Sequence, residues 1–81
     1  MLSLHVSLIL ALHLVRLTGL DNQPIDVNPE EVTNVRPPRG TDIGHFGPGV
    51  KCLVFMADGK PLTVIETFED VHRILLEATG K

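Results

Sequence analysis

The chain has 81 residues, with ten acidic side chains against seven lysines and arginines and a formal net charge of −3. That length allows one small domain, and that charge gives no general attraction to nucleic acid or anionic membrane. One cysteine excludes an internal disulfide, and the lack of tryptophan and tyrosine nearly removes stacking platforms for bases. A lone thiol suits a reducing compartment, so a cytoplasmic protein is expected. A core this small, without a staple, is expected to gain stability by association.

Residues 2–17 read LSLHVSLILALHLVRL. Leu2, Leu4, Val6, Leu8, Leu10, Leu12 and Leu14 hold every second position, with Ser3, His5, Ser7 and His13 among the residues between them. Period two predicts a strand with one buried face, an extra N-terminal strand over residues 1–13. The phase flips after Leu14, where Val15 and Leu17 become the apolar positions, which marks a bulge or bend. Leucine favours helices over strands, so an amphipathic helix is an alternative. A secretory signal or anchor is another. Against it, no Lys or Arg precedes Arg16, no small-residue cleavage site follows, and the run falls short of the about 20 apolar residues of a membrane span. Membrane association is therefore disfavoured, though left open for residues 1–17.

Next in chain order, Gly19-Leu20-Asp21-Asn22 reads as a turn and residues 23–28 as a short strand, with Pro24 at its opening or on an edge. Asn28-Pro29-Glu30-Glu31 is a helix start, with Asn28 as N-cap and proline at the first helical position. Pro37 and Pro38 limit it to one turn with an extended exit over 32–36. Residues 37–49, PPRGTDIGHFGPG, hold three prolines and four glycines in thirteen positions. That composition predicts a long loop without helix or interior strand.

Residues 50–66 read as a hairpin closed by Asp58-Gly59 in a two-residue type I′ turn. This turn sets Met56 opposite Pro61, Phe55 opposite Leu62 and Cys52 opposite Ile65. Leu53, Phe55, Leu62 and Val64 then share one face, closed by a Lys51–Glu66 pair, and Cys52, Val54, Met56 and Ile65 share the other. Two apolar faces place the hairpin centrally, and the missing N–H of Pro61 leaves the outer edge of the second strand unpaired there. Thr67 caps a final helix whose stripe is Phe68, Val71, Ile74, Leu75 and Ala78, with Gly80 as its stop.

The expected fold is one α+β domain over 1–81: a small antiparallel sheet or partly open barrel of four to five strands with one C-terminal helix. From Leu14 onward, LVRLTG (14–19), VNPEEV (27–32) and TVIETFEDVHRIL (63–75) resemble the FlbD/SwrD family of small flagellar-operon proteins. The resemblance spans about two thirds of the chain. It implies a non-catalytic accessory protein linked to the flagellum. This chain departs from the family in its 37–49 segment and in the twelve residues before His13.

The residues offer little chemistry. Cys52 lies mid-strand among apolar neighbours and reads as a buried, inert thiol. Ser3 and Ser7 lack the setting of a nucleophile. His5 and His13 are about 26 Å apart along a strand, too far to share one ion, and His72 falls opposite the helical stripe. No catalytic residue, cofactor or metal is expected. Asp42, His45, Arg36 and Arg39 form the one polar constellation suited to a small ligand, on the 37–49 loop. The leading expectation is a protein-interaction module that self-associates through Leu4, Val6, Leu8, Leu10 and Leu12, because an apolar unpaired edge requires a cover. Arg36, Arg39, His45 and Phe46 are further contact candidates. The alternative is a nucleic-acid-binding small β-barrel using Arg36, Arg39, Lys51 and Phe46, disfavoured by charge and composition.

Overall fold

The computed structural model describes residues 13–79, and two hairpin loops of one kind set its strands. The first joins β1 (Val15–Thr18) to β2 (Pro24–Val27). The second joins β4 (Cys52–Met56) to β5 (Pro61–Val64). In the first, the Gly19 N–H donates to the Gln23 carbonyl and the Asn22 N–H to the Gly19 carbonyl, both at 2.9 Å. In the second, the Met56 N–H donates to the Lys60 carbonyl at 3.1 Å and the Gly59 N–H to the Met56 carbonyl at 2.9 Å. Each loop therefore has three residues, a type I turn followed by one left-handed residue: Asn22 at φ 66° and Gly59 at φ 85°. Asp21 and Asp58 hold the same place in the two loops. Each accepts, through Oδ1, the N–H two residues on, from Gln23 at 3.1 Å and from Lys60 at 2.9 Å.

The second loop overturns the expected two-residue turn and its register. Phe55 faces Pro61, Val54 faces Leu62, Leu53 faces Thr63 and Cys52 faces Val64. A slip of one residue moves a whole strand's side chains to the other face. Leu62 and Val64 consequently join Cys52, Val54 and Met56, leaving Leu53 and Phe55 with Thr63 and Pro61. Pro61 faces Phe55 rather than Met56, and Glu66 binds Thr18 rather than Lys51.

β3 (Val32–Arg36) pairs antiparallel with β4. It follows a 3-10 turn, Pro29–Glu31, that Asn28 caps by accepting the Glu30 N–H at 3.0 Å. A register shift between Val32 and Asn34 lets Val32 and Val35, three residues apart, both pack on the core. Among the described residues the strands divide into a two-stranded sheet, β1-β2, and a three-stranded sheet, β3-β4-β5. The expected single sheet or partly open barrel does not form. The turn after β1 leaves only an isolated bridge between Gly19 and Val64 to join the two.

α2 (Phe68–Ala78) covers the seam between the sheets. Thr67 caps it by accepting the Asp70 N–H at 3.1 Å. Val71 is fully buried, and Phe68, Ile74, Leu75 and Ala78 pack against the same cluster, which is the expected stripe. That cluster is Val15, Leu17, Val27, Cys52, Val54, Val64 and Val71. Gly80, expected to stop the helix, lies outside the described residues, as do Leu4, Val6, Leu8, Leu10 and Leu12 of the expected N-terminal strand.

Residues 37–49 are a second correction. They contain a short helix, α1 (Gly40–Phe46), rather than an unbroken loop. The prolines stand outside the helix at 37, 38 and 48, where they delimit it. Gly47, at φ 117°, ends it in a conformation that suits glycine, and its N–H donates to the Ile43 carbonyl at 2.9 Å.

Candidate functional site

Arg36 and Asp42 are the only pair from the expected constellation whose side chains meet. Arg36 lies opposite Leu53, so its side chain is on the Leu53–Phe55 face of the three-stranded sheet. Its guanidinium stands 5.5 Å from the Phe55 ring centroid. From there it reaches Asp42 in the first turn of α1, with Nη1 to Oδ2 at 2.6 Å and Nη2 to Oδ1 at 3.3 Å. The Arg39 backbone N–H also donates to Asp42 Oδ2, at 2.8 Å. The Arg36 hydrogen bonds, followed by that of Arg39, hold the Asp42 carboxyl below its ordinary value.

This arrangement ties the first turn of α1 to the end of β3. Leu53 and Val50 are buried, yet neither belongs to the main cluster. The Arg36–Asp42 pair serves as a clasp, with the carboxylate occupied by protein donors. His45 is exposed and meets Phe46 edge-on at 4.6 Å, sharing no hydrogen bond or ion pair with Arg36, Arg39 or Asp42. Arg39 and Lys51 are also exposed, and Phe46 is half-buried. Of the basic side chains expected of a nucleic-acid binder, Arg36 is paired with Asp42.

Asp42→Asn is expected to lower the thermal midpoint at pH 7 and to flatten its acid dependence. The sign follows from linkage. A carboxyl whose folded pKa is depressed contributes stability above its unfolded value, near 3.8, and loses it as pH falls through the folded value. Melting curves from pH 7 to pH 2 check this. Equal acid sensitivity of the variant and the parent chain below pH 4 would contradict the clasp.

Cys52 is buried and its thiol is pushed up to about 11, first by burial and then by the charges of Glu66 and Glu69. It is unreactive at neutral pH. Among the described residues, no group of three or more His, Cys, Asp or Glu side chains is placed to hold a metal ion. None of their helices is long and apolar enough to cross a membrane.

Two features were missed in the sequence reading. The first is Glu66, 48 residues from Thr18 in sequence. Its Oε1 accepts the Thr18 N–H at 2.9 Å and its Oε2 the Thr18 hydroxyl at 2.7 Å. The Ile65 N–H donates to the Thr18 carbonyl at 3.0 Å beside it. The second is an open groove of about 370 Å³ lined by Gly19, Leu20, Asp21, Ile25, Pro61, Leu62 and Thr63. It opens where the first hairpin loop turns away from the outer edge of β5. Neither has a local sequence signature, because both arise where distant segments cross. No family model, characterised protein or solved structure matches the chain.

Proposed function

We propose that this chain is a non-catalytic protein-interaction module that self-associates through its leucine-rich N-terminal segment, residues 2–14, in the cytoplasm. The observation that carries the reading is Leu14. It is 55% exposed immediately before β1, at the end of an alternating apolar series. Its exposure is a reason for association, since apolar surface gains about 25 cal/mol for each Å² that a partner covers. A second support is the open edge of β1. The register with β2 turns the Arg16 backbone groups away from β2, and among the described residues no strand receives them. The resemblance to the FlbD/SwrD proteins adds a flagellum-linked accessory role to this proposal.

Light scattering on a sizing column tests the reading with the full chain and with Leu8→Lys and Leu10→Lys. The full chain is expected to run as a defined oligomer and each lysine variant at a lower mass, with unchanged circular dichroism. A monomeric parent chain at the highest attainable concentration would end the proposal.

A further inference from the structure

Resting on that self-association, we infer that the groove beside β5 is the acceptor for residues 2–12 of a second copy. The groove's apolar wall is Leu20, Ile25 and Leu62, all half-buried, with Pro61 and Thr63 on the opposite face of β5. Its floor includes main-chain hydrogen-bonding capacity. The Lys60 carbonyl points to β4, where it accepts the Met56 N–H, and the Val64 carbonyl likewise accepts the Lys51 N–H. Backbone groups alternate in direction along a strand. The Pro61 carbonyl and the Thr63 N–H therefore point outward into the groove. An extended segment laid there gains hydrogen bonds from the strand edge and places alternate side chains against the apolar wall, as in β-augmentation. Pro61 lacks a donor, so the ladder is short and side-chain fit carries the specificity.

The sequence supplies a matching occupant. Residues 2–12 carry an apolar side chain at every second position, the periodicity that such a wall reads. They contain no acidic residue that would meet Asp21 on the rim. Topology points to a second copy as its source. β1 runs antiparallel to β5 through the Gly19–Val64 bridge, with the groove at the Gly19 end and the chain entering at Val15. The upstream segment thus joins β1 at the end away from the groove. Residues 1–14 contain no Gly, Pro, Asn or Asp with which to reverse direction. A segment that continued the line of β1 upstream of Val15 would leave its own groove behind, which favours the groove of another copy.

Cysteine cross-linking of the full chain tests this, because the native Cys52 is buried and unreactive. One chain carries Thr63→Cys and the other carries Ser3→Cys, Ser7→Cys or Ala11→Cys, the positions that share the Thr63 face when the leucines meet the wall. They are mixed under mild oxidation and the products mapped by mass spectrometry, with thermal melts to confirm folding. A disulfide requires Cα atoms within about 7 Å, so at least one mixture is expected to give the inter-chain bond to position 63. Bonds only between two N-terminal cysteines would overturn the groove assignment, as would an intrachain bond to 63 in a doubly substituted chain. Either result leaves self-association standing, whereas a monomeric parent chain removes both. Leu20→Glu serves as the second variant, since Leu20 lines the groove from the hairpin loop and lies outside the core cluster. It is expected to raise the half-association concentration about tenfold or more by burying a charge against leucine. An unchanged value would overturn the inference.

Discussion

Leu17→Ala is expected to lower the urea midpoint by about 2 M or more, with m for a domain this small near 1 kcal/mol/M. Leu17 is fully buried in the middle of β1 and belongs to the cluster that holds both sheets and α2 together. Truncating a buried leucine costs about 2–5 kcal/mol, the transfer loss plus the cavity left behind. At about 0.05–0.15 kcal/mol per residue, a chain of 81 residues has a net stability of about 4–12 kcal/mol. The loss is therefore a large share of the total. Collapse of the cavity would bring the cost toward its lower limit. Here the surrounding side chains are mostly valines on strands, Val15, Val27, Val54 and Val64, and strand pairing limits how far they move. Leu17→Met keeps the volume and is expected to stay within about 1.5 kcal/mol of the parent. A midpoint shift under 0.5 M for the alanine variant would mean that the two sheets do not share one cooperative core.

The legible parts of the fold are those whose causes are local. The α2 stripe follows from a 3.6-residue period, and the Asn28-Pro29 cap from chemistry within three residues. The errors arose where a local signal admits two answers. Asp58-Gly59 suits either a two-residue loop with both residues at positive φ or a three-residue loop with only the glycine there, and only Gly59 has positive φ. The aspartate's bond to the N–H two residues on favours the second. Leu20-Asp21-Asn22-Gln23 repeats the pattern of Ala57-Asp58-Gly59-Lys60, so the chain contained an internal comparison. Over 37–49 the error was one of averaging. Proline counts describe the segment, but proline positions decide it, and the seven residues between Arg39 and Gly47 contain none. Of the polar constellation Arg36, Arg39, Asp42 and His45, only the Arg36 and Asp42 side chains meet, and their use as a clasp depends on an α1 that the composition of 37–49 conceals. The division into two sheets, the groove and the Thr18–Glu66 contact depend on crossings of distant segments, which no window of sequence contains.

Glu66→Ala is expected to cost about 2–3 kcal/mol, since each hydrogen bond to an ionised group is worth about 1.5–3 kcal/mol and partial exposure reduces the sum. Its effect reaches beyond the two bonds because of where they lie. Among the described residues the sheets share one bridge, Gly19 to Val64, and Glu66 fastens β1 one residue before it, beside the Ile65-to-Thr18 main-chain bond. Removing the carboxylate leaves the Thr18 N–H without its acceptor at a half-buried position, a desolvation loss that a surface ion pair does not incur. Glu66→Gln is expected to retain more than half of the lost stability, because its carbonyl can still accept the Thr18 N–H. It also removes a charge that, after burial, raises the Cys52 thiol. Thr18→Val removes only the hydroxyl partner, and with Glu66→Ala it completes a double-mutant cycle. A coupling above about 0.5 kcal/mol is expected for residues in contact. Additive losses would show that Glu66 acts on the fold through something other than Thr18. If the coupling holds, a side chain reaching back 48 residues reinforces the seam between the two sheets beside the Gly19–Val64 bridge, at the border of the groove beside β5.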